Sequence, residues 1–192
     1  MLRCKGLSYT TQPPRRIEIF KDIDFKIEKG ENTVIYGDNG AGKSTLVKLL
    51  TGVISPTAGE VKTENSAVAV FEDVEEQILF STVKEEMEVT GKFKLSPVLK
   101  MLQLDRLRDR STLELSFTQK ARLGFYTAWQ TGKHFMLVDS PVNDEGLNRC
   151  ISSIVRSSSR TVILFLPSLE KRQFTQNWKK MKIKNQRLSV EN

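Results

Sequence analysis

Residues Gly37 to Thr45 read GDNGAGKST, in which Gly37, Gly42, Lys43 and Ser44 satisfy the spacing G-x-x-x-x-G-K-[ST]. The chemistry of that spacing is capture of a polyphosphate. Small residues let the main-chain N–H groups of Gly37, Asp38, Asn39, Gly40, Ala41, Gly42, Lys43, Ser44 and Thr45 close around phosphate oxygens. The start of the following helix adds partial positive charge, the Lys43 ammonium reaches the outer phosphates, and the Ser44 hydroxyl is a magnesium ligand. Such a loop must join a buried strand to a helix. Thr33 to Tyr36 (TVIY) has the apolar, β-branched and aromatic character of that strand, and Thr45 to Leu50 (TLVKLL) that of the helix. The chain is therefore expected to bind a nucleoside triphosphate, and the strand–loop–helix context argues against a chance glycine-rich turn.

The elements needed to position this loop can be read along the chain. Gly6 to Tyr9 and Ile23 to Ile27, joined through Gln12-Pro13-Pro14, read as an antiparallel flap. A turn at Ser55 to Gly59 leads to Glu60-Val61, and Ala67 to Phe71 reads as a buried strand. Thr82 to Leu107 carries helical spacing interrupted by Gly91 and Pro97, and a further helix is expected over Phe117 to Trp129, so residues 82–130 read as a small helical subdomain. Phe135 to Val138 forms a core strand ending at Asp139. Leu147 to Arg156 reads as a helix and Thr161 to Leu166 as the last parallel strand. Met181 to Lys184 and Arg187 to Val190 alternate around Asn185-Gln186, as in an edge hairpin with its lysines in solvent. Strands alternating with helices imply an α/β fold with a mostly parallel core sheet.

With 192 residues and 39% hydrophobic content, one domain over residues 1–192 is expected. No stretch is long and apolar enough for a membrane span, and MLRCKG lacks the apolar core of a signal peptide, so the chain is expected in the cytosol. Cys4 and Cys150 have neither pairing nor metal-ligand spacing and receive no chemistry. The net charge of +7 is concentrated from Lys171 onward, where seven basic residues face one acidic. The nearly neutral remainder argues against a broad nucleic-acid face, while contact of the basic end with an anionic surface stays open.

From about Leu7 to Val190 the chain resembles the ATP-binding subunits of ABC transporters. The resemblance rests on five pieces in order: the phosphate loop; SPTAGEV; VFEDVEEQILFSTVKEEM (Val70 to Met87); LSFTQ (Leu115 to Gln119) at the family's LSGGQ signature; and TVILFLPSLE (Thr161 to Glu170) at its switch strand. Ser116 and Asp139 are 23 residues apart, the family's usual spacing. The segment from Val70 is similar to the Gln-loop of energy-coupling-factor and cobalt-type uptake ATPases. The resemblance implies a P-loop NTPase of the ABC type with an antiparallel β flap, binding ATP and magnesium. It also implies a second ABC-type ATPase subunit whose signature completes the site, and a transmembrane transport subunit, with the chain on the inner face of the membrane.

It further implies departures at each catalytic position. Asp139 remains as the carboxylate that holds magnesium through water. Ser140 stands where the family has the glutamate that polarises the attacking water, and Pro167 where it has the switch histidine. Glu72 replaces the Gln-loop glutamine, still able to ligate magnesium. Ser116 can cap its helix and touch a partner's γ-phosphate, but Phe117 and Thr118 replace two signature glycines. SPVNDEGLN after Asp139 is about two residues longer than the family's loop, with Asn148 in place of an aspartate. Thr11 takes the adenine-stacking slot, leaving Tyr9 as a candidate. A slipped alignment would need Glu145, six residues beyond Asp139, or His134, the only histidine, which precedes its strand and reads as a surface residue. Two functions stay open, a transporter ATP-binding subunit with weak or absent hydrolysis and a soluble ABC-type regulatory or assembly module. A P-loop kinase would explain neither LSFTQ nor its spacing to Asp139.

Overall fold

The computed structural model describes residues 1–63, 67–89, 97–157, 159–169 and 175–191; Gly91, one of the two expected interruptions of the helical segment, lies outside them. The strands are β1 (Leu2–Thr10), β2 (Glu18–Ile27), β3 (Thr33–Tyr36), β4 (Ala58–Lys62), β5 (Ala67–Val70), β6 (Phe135–Asp139), β7 (Thr161–Leu166), β8 (Lys179–Lys184) and β9 (Arg187–Glu191). The α-helices are α1 (Lys43–Thr51), α2 (Val83–Glu88), α3 (Pro97–Met101), α4 (Phe117–Gln130) and α5 (Glu145–Ser157).

Six strands form one sheet in the order β5-β6-β7-β3-β8-β9, parallel except for β9. Strands buried on both faces need near-continuous apolar sequence, and FMLVD and TVILFL are buried at every residue. Their side chains alternate between two cores. Ile35, Leu137, Ile163 and Phe165 meet Leu46, Leu49 and Leu50 of α1 together with the flap, while Val34, Val138, Leu164 and Leu166 meet α4 and α5. The flap is the antiparallel sheet β2-β1-β4, so Ala58–Lys62 joins it as a third strand.

Two expectations are corrected here. β7 is not the last parallel strand, because β8 pairs in parallel with β3 from Thr33↔Lys179 to Tyr36↔Lys182. Nor is Met181 to Lys184 an edge in solvent. Met181 and Ile183 point into the α1-side core, while Lys180 and Lys182 are half-buried on the other face. Lys182 stretches its aliphatic stem across that face, its ammonium 5.5 Å from the centre of the Tyr36 ring, and Glu191 of β9 accepts the Tyr36 hydroxyl. Apolar contact along the stem lets a lysine-rich strand lie inside a sheet. β9, not β8, is the edge on this side of the sheet.

Because β5, β6, β7 and β3 are parallel, their carboxyl ends lie along one margin of the sheet. Phe71-Glu72, Asp139-Ser140, Pro167 and the phosphate loop must emerge together there. His134 lies at the opposite margin, half-buried rather than on the surface, its Nε2 3.2 Å from Thr161 Oγ1. Among the described residues no helix is long and apolar enough to cross a membrane.

Candidate nucleotide site

The loop between β3 and α1 is pinned by its own lysine. Lys43 is only 7% exposed, and its ammonium donates to the carbonyls of Gly37 at 2.8 Å and Asp38 at 3.0 Å. Gly42 holds the αL conformation at φ 99°, and a Cβ there would lie 2.6 Å from Ile19 Cγ2 and 2.9 Å from Phe20 Cζ. A Cβ on Gly37 would lie 2.7 Å from the Ile183 carbonyl, so β8 braces the loop from behind. α1 starts without a side-chain cap, which leaves its first-turn N–H groups for an anion. The helix itself follows from Leu46, Val47, Leu49 and Leu50 lying on one buried face, and Gly52 ends it in αL.

Opposite the loop lies a cleft of about 480 Å³ lined by Ser44, Glu72, Gln77 and Asp139 among others. Asp139 is 2% exposed, and neither carboxylate oxygen finds a hydrogen-bond partner among the described residues. Burial pushes its pKa up; the nearby Ser44 hydroxyl pulls it down, Glu72 adds to the rise, and Lys43 and Ser140 oppose it. A buried carboxylate without a partner is costly unless a cation completes it. Ser44, Asp139 and the exposed Glu72 supply hard oxygen donors, and magnesium takes few protein ligands and completes its shell with water and phosphate oxygens. The site fits that ion. Among the described residues no group of three or more His, Cys, Asp or Glu is poised for any other metal.

Of the remaining predicted positions, Ser140 lies beside this cleft, Ser116 starts α4, and Thr11 and Tyr9 belong to the flap. Ser140 stands at φ 45°, a region sparsely populated outside glycine, with its N–H on the Phe165 carbonyl at 2.9 Å. Pro167 is exposed just past β7. A narrow crevice beside Asp139 is lined by Phe71, Glu72, Ser140 and Phe117, the last 54% exposed. Ser116 caps α4, accepting Gln119 N–H at 3.3 Å, while Gln119 Oε1 accepts the Ser116 N–H at 2.9 Å. The Thr11 hydroxyl is used inside its own turn, on Arg15 O and Ile17 N–H, and Tyr9 packs half-buried against the flap core. Both cysteines are buried, their thiols pushed up to about 12 by burial, most of all, and for Cys4 also by the charge of Asp24.

The ABC transporter sequence pattern matches residues 20–143, which takes in the phosphate loop, the capped α4 and Asp139. The chain belongs to the ABC transporter family. Among curated ABC relatives, an ABC transporter ATP-binding protein of Methanosarcina acetivorans is 32% identical over 169 residues, covering 71% of this chain and 60% of that protein. An energy-coupling factor transporter ATP-binding protein of Fusobacterium nucleatum is 30% identical over 167 residues, covering 74% of this chain and 62% of that one. The chain thus spans about 60% of the length of these relatives. Two solved ABC structures share the fold. A dimeric ATP-binding cassette in a post-hydrolysis state, bound to ADP and Pi, superposes with a TM-score of 0.85 at 20% identity, covering 100% of this chain and 98% of that chain. CbiO1 of Clostridium perfringens, part of the ABC transporter complex CbiONQ, superposes at 0.79 and 22% identity, covering 98% and 86%.

Three features of this ABC chain were not read from its sequence. Gln77 clamps β5 through its side-chain amide. Lys120 in the first turn of α4 pairs with Glu75, three residues beyond Glu72. In the lengthened loop after Asp139, Asp144 is held by Arg122 through Nε–Oδ1 at 2.9 Å and Nη2–Oδ2 at 2.7 Å, and Asp144 Oδ1 also accepts the Leu147 N–H at 2.8 Å, capping α5. Its hydrogen bonds to Arg122, more than any other influence, hold the Asp144 carboxyl below its ordinary range. A lowered folded-state pKa gives stability that is present above the ordinary value of 3.8 and is lost as pH falls through the depressed value. Asp144→Ala is therefore expected to cost roughly 2–3 kcal/mol in urea unfolding at pH 7. The wild-type advantage should shrink below pH 3.8. An equal advantage throughout that range would contradict the assignment.

Proposed function

We propose that this chain is one ABC-type domain over residues 1–192, the ATP-binding subunit of a transporter, whose own site binds ATP with magnesium and hydrolyses it weakly or not at all. The observation that carries the reading is the pairing of an intact phosphate cradle, buried Lys43 facing partnerless Asp139, with Ser140 and Pro167 at the catalytic positions. Main-chain N–H groups of residues 37–45 hold the phosphates, and Lys43 adds a charge-assisted hydrogen bond. Ser44, Asp139 through water, and Glu72 would hold magnesium, which when bound neutralises charge on the outer phosphates. A serine hydroxyl at residue 140 does not accept the proton of an attacking water at neutral pH, and loss of a positioned base lowers rate by roughly 10²–10⁴. Proline at residue 167 has neither donor nor acceptor for the γ-phosphate.

Binding without turnover still does work in a dimer, since a ligand favouring the closed pair shifts the population toward it. The capped Ser116 at the exposed start of α4 supports a role in a partner's site, and Phe117 beside it supports a weakened one, which favours a heterodimer with an intact second ATPase subunit. A groove of about 370 Å³ between the segment after Glu75 and α4 exposes Leu79 at 76% and Leu113 at 86%. Uncovered apolar surface of this kind suits a protein partner, here a transmembrane subunit, with this chain peripheral on the cytoplasmic side. Equilibrium titration with Mg-ATP and a turnover assay test the reading. Saturable binding with turnover far below an intact ABC ATPase is expected, rising when Ser140→Glu is combined with Pro167→His. Wild-type turnover at the level of an intact enzyme, or no saturable binding, would contradict it.

A further inference from the structure

β5 is an edge strand, bonded to β6 on one side and to no other strand on the described sheet. Along its open side, the Ala69 carbonyl and the Phe71 N–H are the two groups that a single residue of a parallel neighbour would satisfy. Gln77 takes the place of that residue. Its Oε1 accepts the Phe71 N–H at 2.8 Å and its Nε2 donates to the Ala69 carbonyl at 3.2 Å. One primary amide thus supplies the donor and acceptor of a missing strand.

The clamp closes a seven-residue ring from Phe71 to Gln77 whose interior bonds are also made. Val74 N–H donates to the Glu72 carbonyl at 3.1 Å, Glu75 N–H to Asp73 Oδ1 at 3.2 Å, and Gln77 N–H to the Val74 carbonyl at 3.1 Å. Val74 is buried and fixes the ring to the core. Glu72 is the first residue past the clamped Phe71, and Gln77 and Glu72 line the same cleft as Ser44 and Asp139. Among the described residues the exposed Glu72 carboxylate makes no hydrogen bond or ion pair that would orient it, so its direction is inherited from the backbone on either side.

The geometry points to Gln77 as a positioning residue that aims the Glu72 carboxylate at the metal side of the nucleotide site. The inference rests on the proposed reading of that site as magnesium-binding. It assigns Gln77 no contact with nucleotide or metal; its effect passes through Glu72 alone. Removal of a group that orients a metal ligand commonly lowers metal affinity at least tenfold.

Manganese serves as the paramagnetic substitute for magnesium. Its affinity for the ATP complex is measured by electron paramagnetic resonance, and ATP affinity without metal by titration in EDTA, for wild type, Gln77→Ala, Glu72→Ala and the double variant. Gln77→Ala is expected to weaken manganese about tenfold, to leave metal-free ATP affinity unchanged, and to add nothing once Glu72 is alanine. Gln77→Met, which keeps the side-chain length, repeats the measurement should the alanine variant fail to fold. Unchanged manganese affinity in a folded Gln77 variant, equal weakening with and without metal, or a full further loss in the Glu72→Ala background would overturn the role of Gln77 while leaving the nucleotide site standing. Wild type that binds ATP but gains no manganese affinity from it would overturn the metal reading and this inference together.

Discussion

Lys43→Ala should reduce affinity for Mg-ATP by at least roughly a hundredfold. An ammonium has three donors. Two of those of Lys43 hold the Gly37 and Asp38 carbonyls, leaving the third for a phosphate oxygen, so one side chain both shapes the cradle and contacts its contents. Each hydrogen bond to a charged group contributes roughly 1.5–3 kcal/mol, and the substitution also lets the loop carbonyls turn toward where an anion would sit. Lys43→Met separates the two effects, since its stem fills the same buried space and should restore the melting temperature without restoring affinity. Calorimetric titration checks this directly; a loss below threefold in Lys43→Ala would remove the lysine from the site.

Asp139→Asn should act with opposite signs on folding and on metal. Among the described residues the carboxylate is buried without a hydrogen-bond partner, and burial raises its pKa above the ordinary 3.8. A raised folded-state pKa in an acid means that stability falls as pH rises from the ordinary value through the higher folded one. The ligand-free protein therefore bears the cost of holding that carboxyl group out of water without a hydrogen bond, and a neutral amide of the same shape should stabilise it by roughly 1–3 kcal/mol. For a chain of this size that is a rise of roughly 2–4 °C in Tm per kcal/mol. The same change should weaken magnesium-dependent nucleotide binding more than tenfold. Differential scanning with and without Mg-ATP reads both signs, and a variant less stable than wild type in the absence of ligand would show that Asp139 is structurally satisfied.

Elements whose burial is symmetric were legible in the sequence. TVIY, FMLVD and TVILFL are apolar throughout because both faces of each strand are covered, and the loop after TVIY carries a spacing that polyphosphate chemistry demands. Family membership followed from that loop together with LSFTQ and Asp139, and the matched region bears it out. β8 was misplaced for a physical reason: KKMKIK alternates as an edge strand does, and nothing local tells a lysine in water from one whose stem lies along Tyr36. The clamps were illegible for another. Arg122 and Asp144, or Gln77 and Ala69, are joined by hydrogen bonds that depend on which strands and helices become neighbours, and periodicity carries no pairing information. The cleft's residue types were thus foreseeable, whereas what holds them in place was not.

The brace behind Gly37 has a consequence for how the molecule is made. β3 is complete at Tyr36, yet its partner β8 begins at Lys179, so the cradle is walled on that side by residues synthesised long after the loop itself. Pairing over so long a separation carries a high contact order and is slow to form. A nascent chain halted before β8 would present the whole GDNGAGKST segment with no backing, and is expected to acquire ATP retention only when translation has passed Lys184.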